Sequence, residues 1–118
     1  MSEANTGKGG AVRISPEVIA QYAGLEAKSC FGIVGMGAVS RKDGFARVLK
    51  NDKLDRGVSV SVKDGKIHID FHIIVAYGVS IQAVAENLTE NVSYQVEQFT
   101  GMEVGRINVF VEGVRFID

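Results

Sequence analysis

Three residues of this 118-residue chain have the composition of a metal or acid–base centre: His68, Asp70 and His72. Two imidazoles and a carboxylate are a common ligand set for divalent metals. They stand at i, i+2 and i+4 of a stretch in which Ile67, Ile69, Phe71 and Ile73 alternate with polar residues. All three therefore project from one face of a strand. Neighbours on such a face lie about 6.6–7 Å apart, whereas a metal needs each ligand roughly 2 Å away. Three collinear positions do not converge on one ion, so the cluster reads as the polar outer face of a sheet. No catalytic residue, metal or cofactor is expected there.

Other candidates for chemistry fare no better. The glycines of FGIVGMGAVS lie at 32, 35 and 37, which is not the order of a dinucleotide-binding turn. Lys8 in GKGG lacks the rest of a phosphate-binding loop. Cys30 has no histidine near it in sequence, and beside Phe31 it reads as a small core residue. Ser59, Ser61 and Ser80 have structural roles as sheet-face residues and a helix cap.

Two surface features remain. Between Ala76 and Gly105 there is no Lys or Arg, yet Glu86, Glu90, Glu97 and Glu103 are present. A helix through this stretch has an acidic outer side with Tyr94 among the carboxylates, which reads as a solvated face or, more sharply, as a docking surface for a basic partner. Phe110, on the polar side of the last strand, is the second feature. With Ile74 and Ala76 it marks a contact with a subunit or partner, or a face covered by residues 11–40. The candidate partner surface is thus Glu86, Glu90, Tyr94, Glu97 and Phe110.

The elements that position these residues follow from periodicity. Val58, Val60 and Val62 alternate with Ser59, Ser61 and Lys63, Asp64-Gly65 follows, and the Lys66–Ile73 alternation begins. Asp-Gly between alternating runs predicts a two-residue hairpin, because a type I′ turn needs positive φ at both central positions. That turn pairs Lys63 with Lys66, Val62 with Ile67, Val60 with Ile69 and Val58 with Phe71. Ser80 caps a helix that ends at Thr100-Gly101, with Ile81, Val84, Ala85, Leu88, Val92, Val96 and Phe99 on its apolar stripe. The last strand covers Met102 to Glu112, and the alternation of Val114 and Phe116 extends it. A strand–helix–strand crossover makes it parallel to the second hairpin strand; which hairpin strand it pairs with is open.

Earlier in the chain, Ser15-Pro16-Glu17 announces a helix running to Lys28 or Ser29. Val18, Ile19, Tyr22, Ala23 and Leu25 form its apolar face. Ala11–Ile14 reads as a short edge strand and Cys30–Ser40 as a short buried strand or link. Residues 41–56 form a charged surface loop with six basic residues against three aspartates. In it Phe45, Val48, Leu49 and Leu54 seat a short helix on the core. Residues 1–10 are polar and Gly-rich and read as a disordered tail; 11–118 is a single domain. The fold class is α+β: a three- to four-stranded mixed sheet, a long C-terminal helix packed on one face, and an N-terminal helix.

Bulk properties narrow the function classes. With 46% apolar residues the chain buries a core without disulfides or metal. A net charge of −1 argues against non-specific nucleic-acid binding. One cysteine permits no internal disulfide and suits a reducing compartment. No apolar leader opens the chain, and its longest nearly uncharged apolar run is far short of a membrane span. A cytoplasmic protein is expected.

The ordered stretches ISPEVIAQYAGLEA (14–27), FGIVGMG (31–37), GVSVSVKDGKIHIDFHIIVAYGVSI (57–81) and ENVSYQVEQFTGMEVGRINVFVEGVRF (90–116) resemble the alkaline shock protein family of Gram-positive bacteria, also called the envelope stress response family. Ser29-Cys30-Phe31-Gly32 departs from it where the family often carries a proline. The resemblance implies a non-enzymatic cytoplasmic protein linked to envelope stress or envelope lipid homeostasis, without catalytic or cofactor residues. It also implies protein partners, among them a membrane-anchored one, and self-association. The competing reading is a small RNA- or nucleic-acid-binding domain using the basic 41–56 segment. The acidic helix and the lack of an aromatic pair on the outer sheet face oppose it.

Overall fold

A computed structural model describes residues 3–5, 11–37 and 57–117. The elements are β1 (Glu3–Asn5), β2 (Ala11–Arg13), α1 (Pro16–Lys28), β3 (Ile33–Met36), β4 (Val58–Lys63), β5 (Lys66–Ala76), α2 (Ile81–Thr100) and β6 (Glu103–Arg115). The architecture is α+β. Within the stretch read as a disordered tail, Glu3–Asn5 pairs antiparallel with Ala11–Arg13. The 41–56 segment, with its expected short helix, lies outside the described residues.

β5 is the axis of a mixed sheet. β4 pairs with it antiparallel in the register the Asp-Gly turn dictates, from Val58↔Phe71 to Lys63↔Lys66. Asp64 and Gly65 both take the positive φ that turn requires, 55° and 76°. β6 lies parallel along the other edge, from Lys66↔Glu103 to Ala76↔Arg115, with register shifts at Gly105 and Glu112. The partner of β6 is therefore β5.

β3 occupies the same edge of β5 as β4, further along, with Met36 opposite Ile73. Between them the His72 carbonyl accepts the Gly37 N–H at 2.8 Å, and the His72 N–H donates to the Gly57 carbonyl at 2.7 Å. Gly37 and Gly57 together make the two bonds that one residue makes in an unbroken antiparallel pair. β3 and β4 are two halves of one edge strand along β5, separated in sequence by residues 38–56. Gly57, at φ 78°, cannot be replaced without conflict, because a Cβ there would run into the Gly37 carbonyl oxygen.

Ile67, Ile69, Phe71, Ile73 and Val75 of β5 are fully or almost fully buried beneath the two helices. α1 covers β3 and β4, and α2 covers β6. α1 begins as its sequence indicates, with Ser15 Oγ accepting the Val18 N–H. Its buried face, however, is Ile19, Ala20, Ala23, Gly24 and Ala27, while Val18 and Leu25 are exposed. Small residues let α1 approach the sheet and α2 closely, so the bulkier pair is turned outward. α2 buries Val84, Leu88, Val92, Val96 and Thr100. Ile81 and Phe99, placed on that stripe by periodicity, are nearly half exposed, and Phe99 stacks on Tyr22 with ring centroids 4.1 Å apart.

Candidate interaction surface

α2 is held at both ends by its own sequence. Ser80 Oγ accepts the Ala83 N–H at 3.2 Å, and Gly101, at φ 76°, donates its N–H to the Glu97 carbonyl at 2.8 Å. With Val84, Leu88, Val92 and Val96 inward, Glu86, Glu90 and Tyr94 point out at successive i, i+4 positions, and Tyr94 is 60% exposed. Gln82, Ala85, Glu86, Thr89 and Glu90 line a shallow open depression of about 300 Å³. The Glu86 carboxylate accepts a bond from Gln82 at 3.3 Å.

The five predicted surface residues do not form one patch. Glu86, Glu90 and Tyr94 share the outward side of α2. The Glu97 carboxylate turns instead toward β6, where it accepts the Val104 N–H at 3.0 Å and fastens the end of the helix to the strand that follows. Phe110 is on the opposite side of the sheet. It stands across from His72, between positions whose neighbours Phe71 and Ile73 face the helices.

On that outer face His72 Nδ1 lies 2.6 Å from Glu112 Oε2, and its ring stacks on Phe110 at 4.8 Å and 14°. Sequence reasoning missed this arrangement. The ladder of β5 with β6 sets Phe110 beside His72, and the register shift at Glu112 accompanies its turn toward the imidazole. The pair also supplies the adjacent rings on the outer sheet face that the sequence lacks on inspection. Asp70 accepts a bond from Asn108 at 2.9 Å, and His68 stands opposite Ser61 and Arg106. His68, Asp70 and His72 thus have separate neighbours. Among the described residues no group of three or more His, Cys, Asp or Glu is placed to share a metal.

Cys30 is 7% exposed. Burial pushes its thiol above the ordinary range, the Asn91 amide at 3.9 Å works the other way, and the Glu26 charge adds to the rise. A thiol held protonated is a poor nucleophile. Partial desolvation, then the Glu26 carboxylate, likewise raises the Tyr22 phenol, which donates to Gln95 at 3.4 Å. None of the described helices is long and apolar enough to cross a membrane.

The structure is thus a two-layer α+β fold with both helices on one face of the mixed sheet. Residues 4–116 match the model of the alkaline shock protein 23 family, cell envelope-related function. The chain belongs to this family. It is 45% identical over 109 residues to the uncharacterized protein YloU of Bacillus subtilis, covering 92% of this chain and 91% of the relative. It is 33% identical over 111 residues to the uncharacterized protein Spy1614 of Streptococcus pyogenes serotype M6, covering 93% and 92%. With YqhY of B. subtilis, also uncharacterized, it shares 34% identity over 113 residues, covering 91% and 78%. No solved structure matches the chain.

Proposed function

We propose that this chain is a non-catalytic protein-interaction module serving the cell envelope, in envelope stress or envelope lipid homeostasis. It docks a basic partner on the outward side of α2. One observation carries the reading: a 20-residue helix without a single Lys or Arg presents Glu86, Glu90 and an exposed Tyr94 on its open side. Carboxylates that face water steer a cationic partner and set its orientation. A tyrosine among them supplies contact area at low entropic cost, the role aromatic residues fill at the centre of interfaces. The family's cell envelope-related description supports the setting. The proposed location is the cytoplasm, with recruitment to the membrane through the partner.

The test is co-purification from cells with the wild-type chain and with Glu86→Lys/Glu90→Lys. Both positions are exposed, so the double variant folds normally. The proposal expects a defined envelope protein that follows the wild type and is lost with the double variant. A partner set that charge reversal leaves unchanged would refute docking on α2.

A further inference from the structure

β6 leaves a long edge of the sheet open. His72 of β5 bonds Gly37 and Gly57 through its C=O and N–H, so its neighbours Phe71 and Ile73 turn theirs toward β6. A residue in a parallel ladder bonds the two residues that flank its partner, which directs the N–H and C=O of Asn108 and Phe110 at β5. Those of Ile107, Val109 and Val111 therefore point away from the sheet, and among the described residues no strand pairs with them. Val104 points the same way, and there Glu97 of α2 accepts its N–H. Between the register shifts at Gly105 and Glu112 the strand carries one charge, Arg106, and neither Lys nor Pro, the residues that commonly close an edge. Side-chain cover also ends here. Val104, Ile107, Val109 and Val111 are only partly buried, while Ile67, Ile69, Phe71 and Ile73 beside them are at 0% exposure.

We propose that an extended basic segment of a partner protein adds to β6 as a further strand, its lysine or arginine side chains toward α2 and its apolar ones toward Phe110. The inference deepens the reading of α2 as a docking surface for a basic partner, and it rests on that reading. Two sets of side chains straddle the edge. On the helix side Ala85, Thr89, Ser93 and Glu97 stand one position beyond the buried Val84, Leu88, Val92 and Val96, and the Glu97–Val104 bond shows that this row faces the β6 edge. Glu86 and Glu90 follow it on the helix surface, and with Ala85 and Thr89 they line the depression on α2. On the other side of the sheet Phe110 stacks on His72 and is still 44% exposed. Successive side chains of a strand point to opposite faces, so one strand laid along β6 serves both sets. Every second residue lays its aliphatic stem on Val109 and Val111 and carries its charged head to the carboxylates; the residues between cover Phe110. Charge selects the occupant. A second copy on the same edge would set its own Glu86 and Glu90 against these, whereas a basic strand is complementary to them. Main-chain bonds then supply affinity and alternate side chains supply specificity.

Titration of the isotope-labelled full chain with a capped heptapeptide of alternating lysine and valine, read by amide hydrogen exchange, tests the proposal. Half-saturation is expected below about 1 mM. On saturation, exchange at Ile107, Val109 and Val111 slows at least tenfold, while Asn108 and Phe110 are protected with and without peptide. A heptapeptide of four lysines followed by three valines, equal in charge and composition, binds at least fivefold more weakly. Val109→Pro removes an outward N–H and leaves the bonds to β5 in place; it weakens binding at least tenfold, and Val109→Ala less than threefold. Circular dichroism of each variant reports its fold, and the exchange pattern of the wild type gives the answer without any variant. A chain that binds neither peptide, or binds the alternating one without slower exchange at those three amides, would overturn the proposal. Binding that survives Val109→Pro but is lost with Glu86→Lys/Glu90→Lys would also overturn it, and would leave docking on the outward side of α2 standing. Slowed exchange that the charge reversal leaves unchanged would uphold strand addition on β6 and refute the acidic helix as the docking surface.

Discussion

Joining Gly37 directly to Val58, with residues 38–57 removed, is the sharpest perturbation of this fold. His72 uses its N–H on Gly57 and its C=O on Gly37. A single glycine makes both bonds in an uninterrupted strand that runs from Met36 opposite Ile73 to Val58 opposite Phe71. Two effects then compete. The 19 residues that join Gly37 to Gly57 carry a closure term that scales as 1.5RT ln n, about 2.6 kcal/mol, which the deletion lifts. Against this, Phe45, Val48, Leu49 and Leu54 would each contribute about 1.5–3 kcal/mol if they were buried in the core, a larger total. The split-strand geometry predicts that the shortened chain is as stable as the parent or up to about 2–3 kcal/mol more stable. Urea unfolding followed by circular dichroism reads the difference, with the slope reporting whether the same surface is exposed. A loss of more than about 2 kcal/mol would refute the reasoning and place those four side chains in the core. The same protein separates the nucleic-acid reading from the fold, because it lacks Arg41, Lys42, Arg47, Lys50, Lys53 and Arg56.

Three further outcomes follow from particular contacts. Gly57→Ala should cost at least about 2 kcal/mol in a thermal melt, since it meets both a positive φ and the Gly37 carbonyl. Gly65→Ala, with open space around it, should cost only about 1 kcal/mol. Glu97→Ala should lose about 1–3 kcal/mol by orphaning the Val104 N–H, whereas Glu86→Ala stays within about 0.5 kcal/mol; urea midpoints distinguish them. The raised Cys30 and Tyr22 groups make the folded state hold protons that the unfolded state gives up. Their contribution is complete below the ordinary thiol and phenol values of 9.0 and 10.0 and is lost as pH climbs through the raised ones. Stability measured from pH 8 to 11 should therefore fall, and Cys30→Ala should flatten the first part of the decline.

Much of this architecture is local and so was legible. The β4–β5 register depends only on a two-residue turn and alternation, and every predicted pair from Val58↔Phe71 to Lys63↔Lys66 is present. The ends of α2 were equally readable, because Ser80 and Gly101 make bonds within four residues. The pairing of β6 was not readable, since β4 and β6 both alternate and nothing within either strand names its neighbour. That choice is decided by β3, which shares an edge of β5 with β4 and leaves only the other edge to β6. The buried face of α1 misled for a different reason. Hydrophobicity ranks Val18 and Leu25 above Ala20, Ala23 and Ala27, but close approach to a sheet and a second helix rewards small volume.

The candidate site was read with the same unevenness. Glu86, Glu90 and Tyr94 emerged from helical periodicity alone. Glu97 shares that periodicity, but the turn after Thr100 brings Val104 within its reach, a geometry no helical wheel contains. His72 and Glu112 are 40 residues apart and meet only because a parallel ladder and a bulge align them.

A photo-reactive side chain at position 94, compared in cells with one at Ser61 on the outer sheet face, tests the central claim most directly. Docking on α2 predicts a crosslink from position 94 to an envelope-associated protein, absent from position 61 and abolished by Glu86→Lys/Glu90→Lys. Crosslinks from position 61 alone, or a product at 94 that survives the charge reversal, would contradict it.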